Sequence, residues 1–485
     1  MDVRFGEFLP DLSELGNPGA THAQNVIPHQ GTYRPFPTLA IDSNALTARA
    51  RGAIAVQDKT STVVMFAGDA TKLYRYAGGT WSDKSGATYT NATQDNWEFL
   101  KWGEYAIGTN YADVIQIGPL DGSSNFAALG GSPPKARHIG SVRGFVVLGN
   151  LKVGSTLYPN RVQWSGLEQE TSWGTVPGTQ ADFQDLVGNG GRIQAITSGD
   201  IGVIFQERSI WTMEYVGPPL AFRFNEVQTE IGTPAPRSVV RYGNSIYYLS
   251  ENGFQRYDVG GDTVPIGDKK IDLWFLERVN VDEYYRITAA IDVANAHVVW
   301  SYSNGASGPD ELLIYDWKTA QWSYAVLDTE CIFEGLSPGY TLEGLDSVNS
   351  SIDALPASLD SDLWRGGRLG LYGFDTAHKS GDFSGSALPA RLETAEVASE
   401  DGTVLYCDNV RPLVQGSTAT NTVYLATRNT LTTDHTYSSG VTQNSATGEH
   451  NLRDAARYMR FRVDIAGGFD HALGVRAKVK SGGVR

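Results

Sequence analysis

Cysteine is scarce in this chain: Cys331 and Cys407 are the only two in 485 residues, and they share no motif. That excludes a disulfide scaffold and any cysteine-rich metal knuckle. It leaves two packed free thiols, expected to stay reduced in a cytosol where the chain folds. The eight histidines, at 22, 29, 138, 297, 378, 435, 450 and 471, show no ligand spacing, so no metal site is expected. No apolar run reaches the ~20 residues of a membrane span. The opening Met1-Asp-Val-Arg-Phe-Gly-Glu-Phe lacks the apolar stretch of a secretory signal. Positive charge is in deficit, with 39 Lys and Arg against 54 Asp and Glu, a net charge of −15. A surface that grips nucleic acid by its phosphates is basic, and this one is not.

Catalytic signatures are missing as well. There is no His-Glu-x-x-His, no Cys-x-x-Cys and no Gly-Lys-Ser/Thr phosphate loop. Gly188-Asn-Gly-Gly191 reads as a loop. Asp258-Val-Gly-Gly-Asp262 lacks the spacing and the closing bidentate Glu of a calcium loop, and reads as a turn. A glycosidase or sialidase needs paired carboxylates, and a sialidase also needs arginines for the substrate carboxylate. The Ser-x-Asp-x-Gly-x-x-Trp boxes of sialidases are not found, and Asp353, Asp360 and Asp362 sit among loop-like neighbours. The expectation is a non-enzymatic chain with no catalytic residues, no cofactor and no metal.

Helical periodicity is confined almost to 268–277, where Ile271, Trp274 and Phe275 share a face and Asp268 stands at the N-cap position. What the chain has instead is a repeated strand–turn–strand phrase. Ser245-Ile-Tyr-Tyr-Leu-Ser-Glu-Asn-Gly-Phe-Gln-Arg-Tyr257 parallels Gly202-Val-Ile-Phe-Gln-Glu-Arg-Ser-Ile-Trp-Thr-Met-Glu-Tyr215, with further versions at 62–76, 104–117, 144–164 and 296–317. Their first strands centre near Val63, Tyr105, Phe145, Val203, Ile246 and Val298, giving steps of 42, 40, 58, 43 and 52 residues. Repeats of about 40–50 residues carrying four short strands mark a β-propeller. Gly78-Gly79, Asn252-Gly253 and Asn304-Gly305 supply hairpin turns.

The predicted fold is mostly β: a six- or seven-bladed β-propeller over 51–400 plus a C-terminal antiparallel β-sandwich over 401–485. Residues 1–50, with prolines in Val26-Ile-Pro28 and Tyr33-Arg-Pro-Phe-Pro37, read as an extended leader that straps and closes the propeller or reaches a neighbouring subunit. A further blade is predicted from 369–374 with 388–396. Insertions near 155–192 and 333–365 interrupt the period and are placed as contact-making loops. The stretch 319–364 has no Lys, Arg or His but eight acids, whereas 451–485 has eight Lys or Arg against three Asp. Such asymmetry reads as two solvated faces of opposite sign, or as complementarity with a partner or an acidic channel lining.

Residues 136–375 carry phrases with a resemblance. They include Arg161-Val-Gln-Trp-Ser-Gly166, Thr179-Gln-Ala-Asp-Phe-Gln-Asp-Leu186, Leu249-Ser-Glu-Asn-Gly-Phe254, Pro265-Ile-Gly-Asp-Lys-Lys270 and Ser337-Pro-Gly-Tyr-Thr-Leu342. The chain resembles bacteriophage structural proteins: the tail-hub or nozzle components of short-tailed phages, also called packaged-DNA stabilisation proteins. The resemblance weakens over the last 85 residues. It implies a homohexameric nozzle in the virion tail below the portal and its adaptor ring, assembled in the host cytoplasm. It also implies tail fibres or a needle as neighbours, and a channel through which double-stranded DNA passes without specific binding. The alternatives are a receptor-binding or carbohydrate-active propeller on the virion and a cellular propeller scaffold. Within the nozzle reading, Glu343, Asp346, Asp353, Asp360 and Asp362 are the candidate channel-facing acids. Eight carboxylates without a base are costly to bury together, so this stretch is expected on a surface.

Overall fold

The computed structural model describes residues 1–305, 308–336, 349, 351–354, 358–359, 369–399, 402–444 and 446–482. Seven four-stranded antiparallel units stand side by side. Blades one to six span 53–83, 98–128, 135–185, 193–229, 240–265 and 288–326. Blade seven takes Cys331–Leu336, Leu369–Phe374 and Lys379–Asp382, and its outermost strand is Ala40–Ala45 from the N-terminal region. The first strand of every blade lies innermost, and Cys331–Leu336 of blade seven packs beside Ala53–Gln57 of blade one, so the ring is closed. The architecture is a seven-bladed β-propeller joined to a β-sandwich.

Each predicted phrase is the second and third strand of a blade, not the first and second. The second strands read loudly because they are covered on both faces. Val63–Gly68, Ile201–Gln206, Ser245–Ser250 and His297–Tyr302 are almost wholly buried, so polar alternation is lost. Separate apolar clusters fill the seams between blades. Val147, Trp164, Ile204 and Phe222 fill the seam between blades three and four, and Phe205, Ile210, Ile246 and Tyr248 the seam between four and five.

The leader is more than a strap. Asp2–Arg4, Val26–His29 and Thr32–Pro35 join one sheet of the sandwich with Leu405–Gln415, Asp454–Ala456 and His471–Ser481. Ala20–Gln24 joins the other sheet, between Gln321–Val326, the outer strand of blade six, and Ala390–Thr394. That second sheet runs on through Tyr458–Ala466 to Thr420–Arg428, so blade six and the sandwich are one continuous sheet. Asn25 fastens the junction: its amide donates to the Tyr324 carbonyl (2.7 Å) and its Oδ1 accepts from the Val326 amide (2.8 Å).

Three boundaries differ from expectation. Residues 388–396 do not complete a blade. Ala390 and Leu392 are buried against the sandwich strand carrying Val463 and Ile465, because the outer place of blade seven is already held by Ala40–Ala45. The propeller therefore ends near 382 and not 400. The insertion near 155–192 is in large part strand: Thr156–Trp164 and Asp182–Asp185 are the outer half of blade three, and only 165–181 between them is turn. The insertion near 333–365 falls mainly outside the described residues.

The helix is Asp272–Arg278 and Asp268 does not cap it. Asp11 of the leader does, accepting from the amides of Leu273 (3.0 Å) and Trp274 (2.8 Å). A carboxylate on free amides satisfies the orphan donors of a first turn, and a distant residue can do this as well as a neighbour. Ile271 and Phe275 are buried as expected.

Candidate functional site

A propeller's inner strands all begin at the same end, so their first residues converge on one central mouth. Here that mouth holds a cavity of about 490 Å³. Its lining comes from inner-strand starts and the segments before them (Asn96, Glu98, Arg137, His138, Gln194, Arg237, Tyr284 and Tyr285) and from second-to-third-strand turns (Glu207, Arg208 and Glu251).

Five blades place an arginine at this end: Arg51, Arg137, Arg192, Arg237 and Arg286, each within three residues of where its inner strand starts. Arg49 joins them. Three have carboxylate partners. Arg137 meets Asp95 (2.7 Å), Arg192 meets Glu207 (2.6 Å) and Arg286 meets Glu283 (3.1 Å). Arg51 and Arg237 instead spend their donors on main-chain carbonyls. Arg51 donates to Asn91 (2.9 Å) and Ala92, and Arg237 donates to Arg51 (3.2 Å). Burial lowers the pKa of both. Burial, followed by the like charges of Arg286 and Arg51, brings the Arg49 guanidinium down to about 10. Most of that shift is the cost of burial, and the neighbouring guanidiniums add to it.

Several polar atoms here are buried with no hydrogen-bond partner among the described residues: Arg51 Nε, Arg286 Nε, Asn96 Oδ1 and His138 Nε2. His138 is 1% exposed; its Nδ1 lies 2.8 Å from Glu98 Oε1, and Glu98 Oε2 accepts from the Ile139 amide (3.2 Å). Nδ1 donates to that carboxylate, so Nε2 is the ring nitrogen left for a ligand. The rim also carries the exposed acids Glu251 and Asp282, neither in an ion pair among the described residues.

The predicted acidic site is only partly visible. Glu343, Asp346, Asp360 and Asp362 lie outside the described residues. Asp353 is exposed on the short 3-10 turn Ile352–Ala354. Elsewhere in the acidic stretch the surface expectation fails at Glu330. It is buried, accepting from the Ala50 amide (2.8 Å) and pairing with His378 (2.5 Å), a base drawn from beyond the stretch. Glu334, on the inner strand of blade seven, is open to water, yet the protein around it is as dense as an interior. That desolvation pushes its carboxyl up to about 7, against an opposing hydrogen bond from the Ile291 backbone.

The basic C-terminal stretch finds its partners largely at home. Arg476 forks onto Asp2 (2.7 and 2.8 Å), Arg462 onto Asp464, and Arg460 reaches Glu14 (2.7 Å). Glu14, Glu396 and His435 come within metal-binding distance of one another. Arg428 already grips Glu396 through two bonds of 2.6 Å and reaches Glu14 at 3.2 Å, and Arg460 holds Glu14 as well. Two guanidiniums neutralise two carboxylates, so the cluster is an ion-pair lock between leader and sandwich and a poor seat for a divalent cation. The thiols are inert: burial raises Cys331 to about 11 and Cys407 to about 12.

The arginine set escaped sequence reading because the repeat was indexed on the second strands. Arginine just ahead of four first strands, as in Arg192-Ile-Gln-Ala-Ile196 and Arg286-Ile-Thr-Ala-Ala290, was the available signal.

No family model and no curated protein matches this chain. Among solved structures, it is similar to a chain of a mitotic checkpoint complex crystal structure, at 9% identity and a TM-score of 0.39, covering 74% of this chain and 97% of that one. It is also similar to the computationally designed Ika8 protein, at 12% identity and a TM-score of 0.38, covering 71% and 99%. At these values the likeness bears on neither activity nor partners.

Proposed function

We propose that this protein is a structural component of a phage tail, a nozzle subunit in a ring around the DNA channel below portal and adaptor. In this reading it acts without catalysis, six copies retain the packaged genome, and the channel passes it during ejection. The observation that carries the reading is the way the chain is tied. Its first strand pairs with its last, Asp2 opposite Arg476, and its leader completes blade seven before the first blade begins. Strands so far apart in sequence, paired in shared sheets, resist being peeled away one at a time, which suits a part loaded by a compressed genome. The phrases of 136–375 support the same reading from the sequence side. Exposed apolar side chains on the outer strands of blade three, Leu157 and Phe183, offer material for a ring contact.

The test is position. Purified particles viewed down the tail axis should show six copies coaxial with the portal. A peripheral location, or glycan cleavage by the purified chain, would favour the receptor-binding or carbohydrate-active alternative. The mouth arginines are a structural feature in favour of that alternative. Its carboxylates Glu98 and Glu207 are already engaged by His138 and Arg192.

A further inference from the structure

We propose that the mouth of the propeller is a binding site for a small molecule or side group bearing a carboxylate or a phosphate. The inference goes beyond the tail reading and does not depend on it. Arg237 and Arg208 line the cavity, and neither meets a carboxylate among the described residues. Behind them, Arg51 keeps a buried Nε without a partner, and His138, also in the lining, has an unpartnered Nε2 that can accept from a ligand hydroxyl.

Desolvating guanidiniums without a counter-charge is expensive. A fold that gathers several of them at the convergence of five blades gains stability when an oxyanion supplies that charge. A planar fork of N–H donors matches a carboxylate or phosphate oxygen pair, and hydrogen bonds to charged groups are the strong ones. The rim works as a filter. Glu251 and Asp282 repel an extended polyanion but accept from hydroxyl groups, so the fitting ligand has one anionic group and neutral polar substituents. Size points the same way: about 490 Å³ admits a molecule of sugar or citrate dimensions and not a DNA duplex.

The experiment is calorimetric titration of the full chain at low salt with inorganic phosphate, citrate, glucuronate and a short DNA duplex. Wild type should bind at least one of the small anions saturably, with a dissociation constant below about 1 mM. The best of phosphate, citrate and glucuronate then tells a phosphate ligand from a carboxylate one. Arg237→Gln should weaken that binding about tenfold or more, the loss expected for a charged hydrogen bond. Arg208→Gln, at an exposed position where folding is not at risk, should weaken it in the same direction. Arg143→Gln, at the opposite end of blade three, should leave it unchanged. The proposal fails if no small anion binds saturably, if neither mouth variant weakens binding, or if the duplex binds and loses affinity with the same variants.

Discussion

Blades five and six differ from blades two to four in what lies behind them. At five and six a single apolar core runs from Leu249 and Phe254 through Trp300 and Trp322 to Phe8, Leu392, Val423 and Phe461 of the sandwich. The helix Asp272–Arg278 is part of this weld, with Phe275 edge-on to Phe254 at 4.8 Å and Trp274 against Phe8 at 5.5 Å. At two, three and four each seam has its own small cluster, and the outer strands face solvent. Nearest-neighbour seams of that kind are quasi-one-dimensional and can loosen one at a time. A weld shared by two blades, a helix and a sandwich cannot. The same propeller thus has a rigid flank fixed by its own chain and a flank left open for contacts.

The largest expected effect comes from breaking the weld. Phe254→Ala removes a ring that touches Phe275, Trp300 and Trp322, and should cost about 3–5 kcal/mol. Urea unfolding should show propeller and sandwich destabilised together. Phe145→Ala, in the seam between blades three and four, should cost a similar amount but leave the sandwich signal unshifted. Equal shifts of the sandwich in both variants would erase the contrast.

Next is the ion-pair lock. Arg428→Met leaves the fully buried Glu396 side chain without its bidentate partner and should cost about 3 kcal/mol by chemical denaturation. Proteolysis of the leader should quicken as it comes loose.

The helix base titrates. Burial raises the Asp272 carboxyl to about 7, against the opposing Phe254 amide hydrogen bond, while Asp11 and Asp268 push it further up. Its folded pKa stands above the unfolded one, so the native state holds the extra proton between about pH 4 and pH 7. Stability from this group therefore falls as pH rises through that window and levels off above it. Asp272→Asn should flatten that slope. It should be more stable than wild type at pH 8, by about 2 kcal/mol after allowance for screening, and near parity at pH 4. A steeper slope in the variant would contradict the assignment. Gly253 and Gly267 bear on the same point, since a Cβ at either would collide with this carboxyl.

The smallest effect tests the remote cap. Asp11→Ala should lower stability by about 1 kcal/mol, measured as a small drop in the urea midpoint. Asp268→Ala should do nothing comparable.

Dense apolar phrases at regular steps were enough to read a propeller from the chain. A strand buried on both faces needs β-formers throughout, and that requirement is written locally. The C-terminal strands, such as Thr420–Arg428 and His471–Ser481, are not buried on both faces, and their signal is correspondingly weaker. The mouth was not. Its arginines stand before or near the start of inner strands with little pattern of their own, and only closure of the ring brings residues 51, 137, 192, 237 and 286 to one end.

The chain's own order thus settled strand content, repeat length and the burial of Cys331 and Cys407. Tertiary structure alone decided which strand fills the last place in blade seven, which carboxylate caps the helix, and where the basic C-terminal residues find their acids. Each of those choices pairs residues far apart in sequence: Ala40 with Asp382, Asp11 with Trp274, Asp2 with Arg476. Local periodicity cannot encode such partners, because a hydrogen-bond acceptor or a strand edge is satisfied by whichever group the finished fold brings within reach.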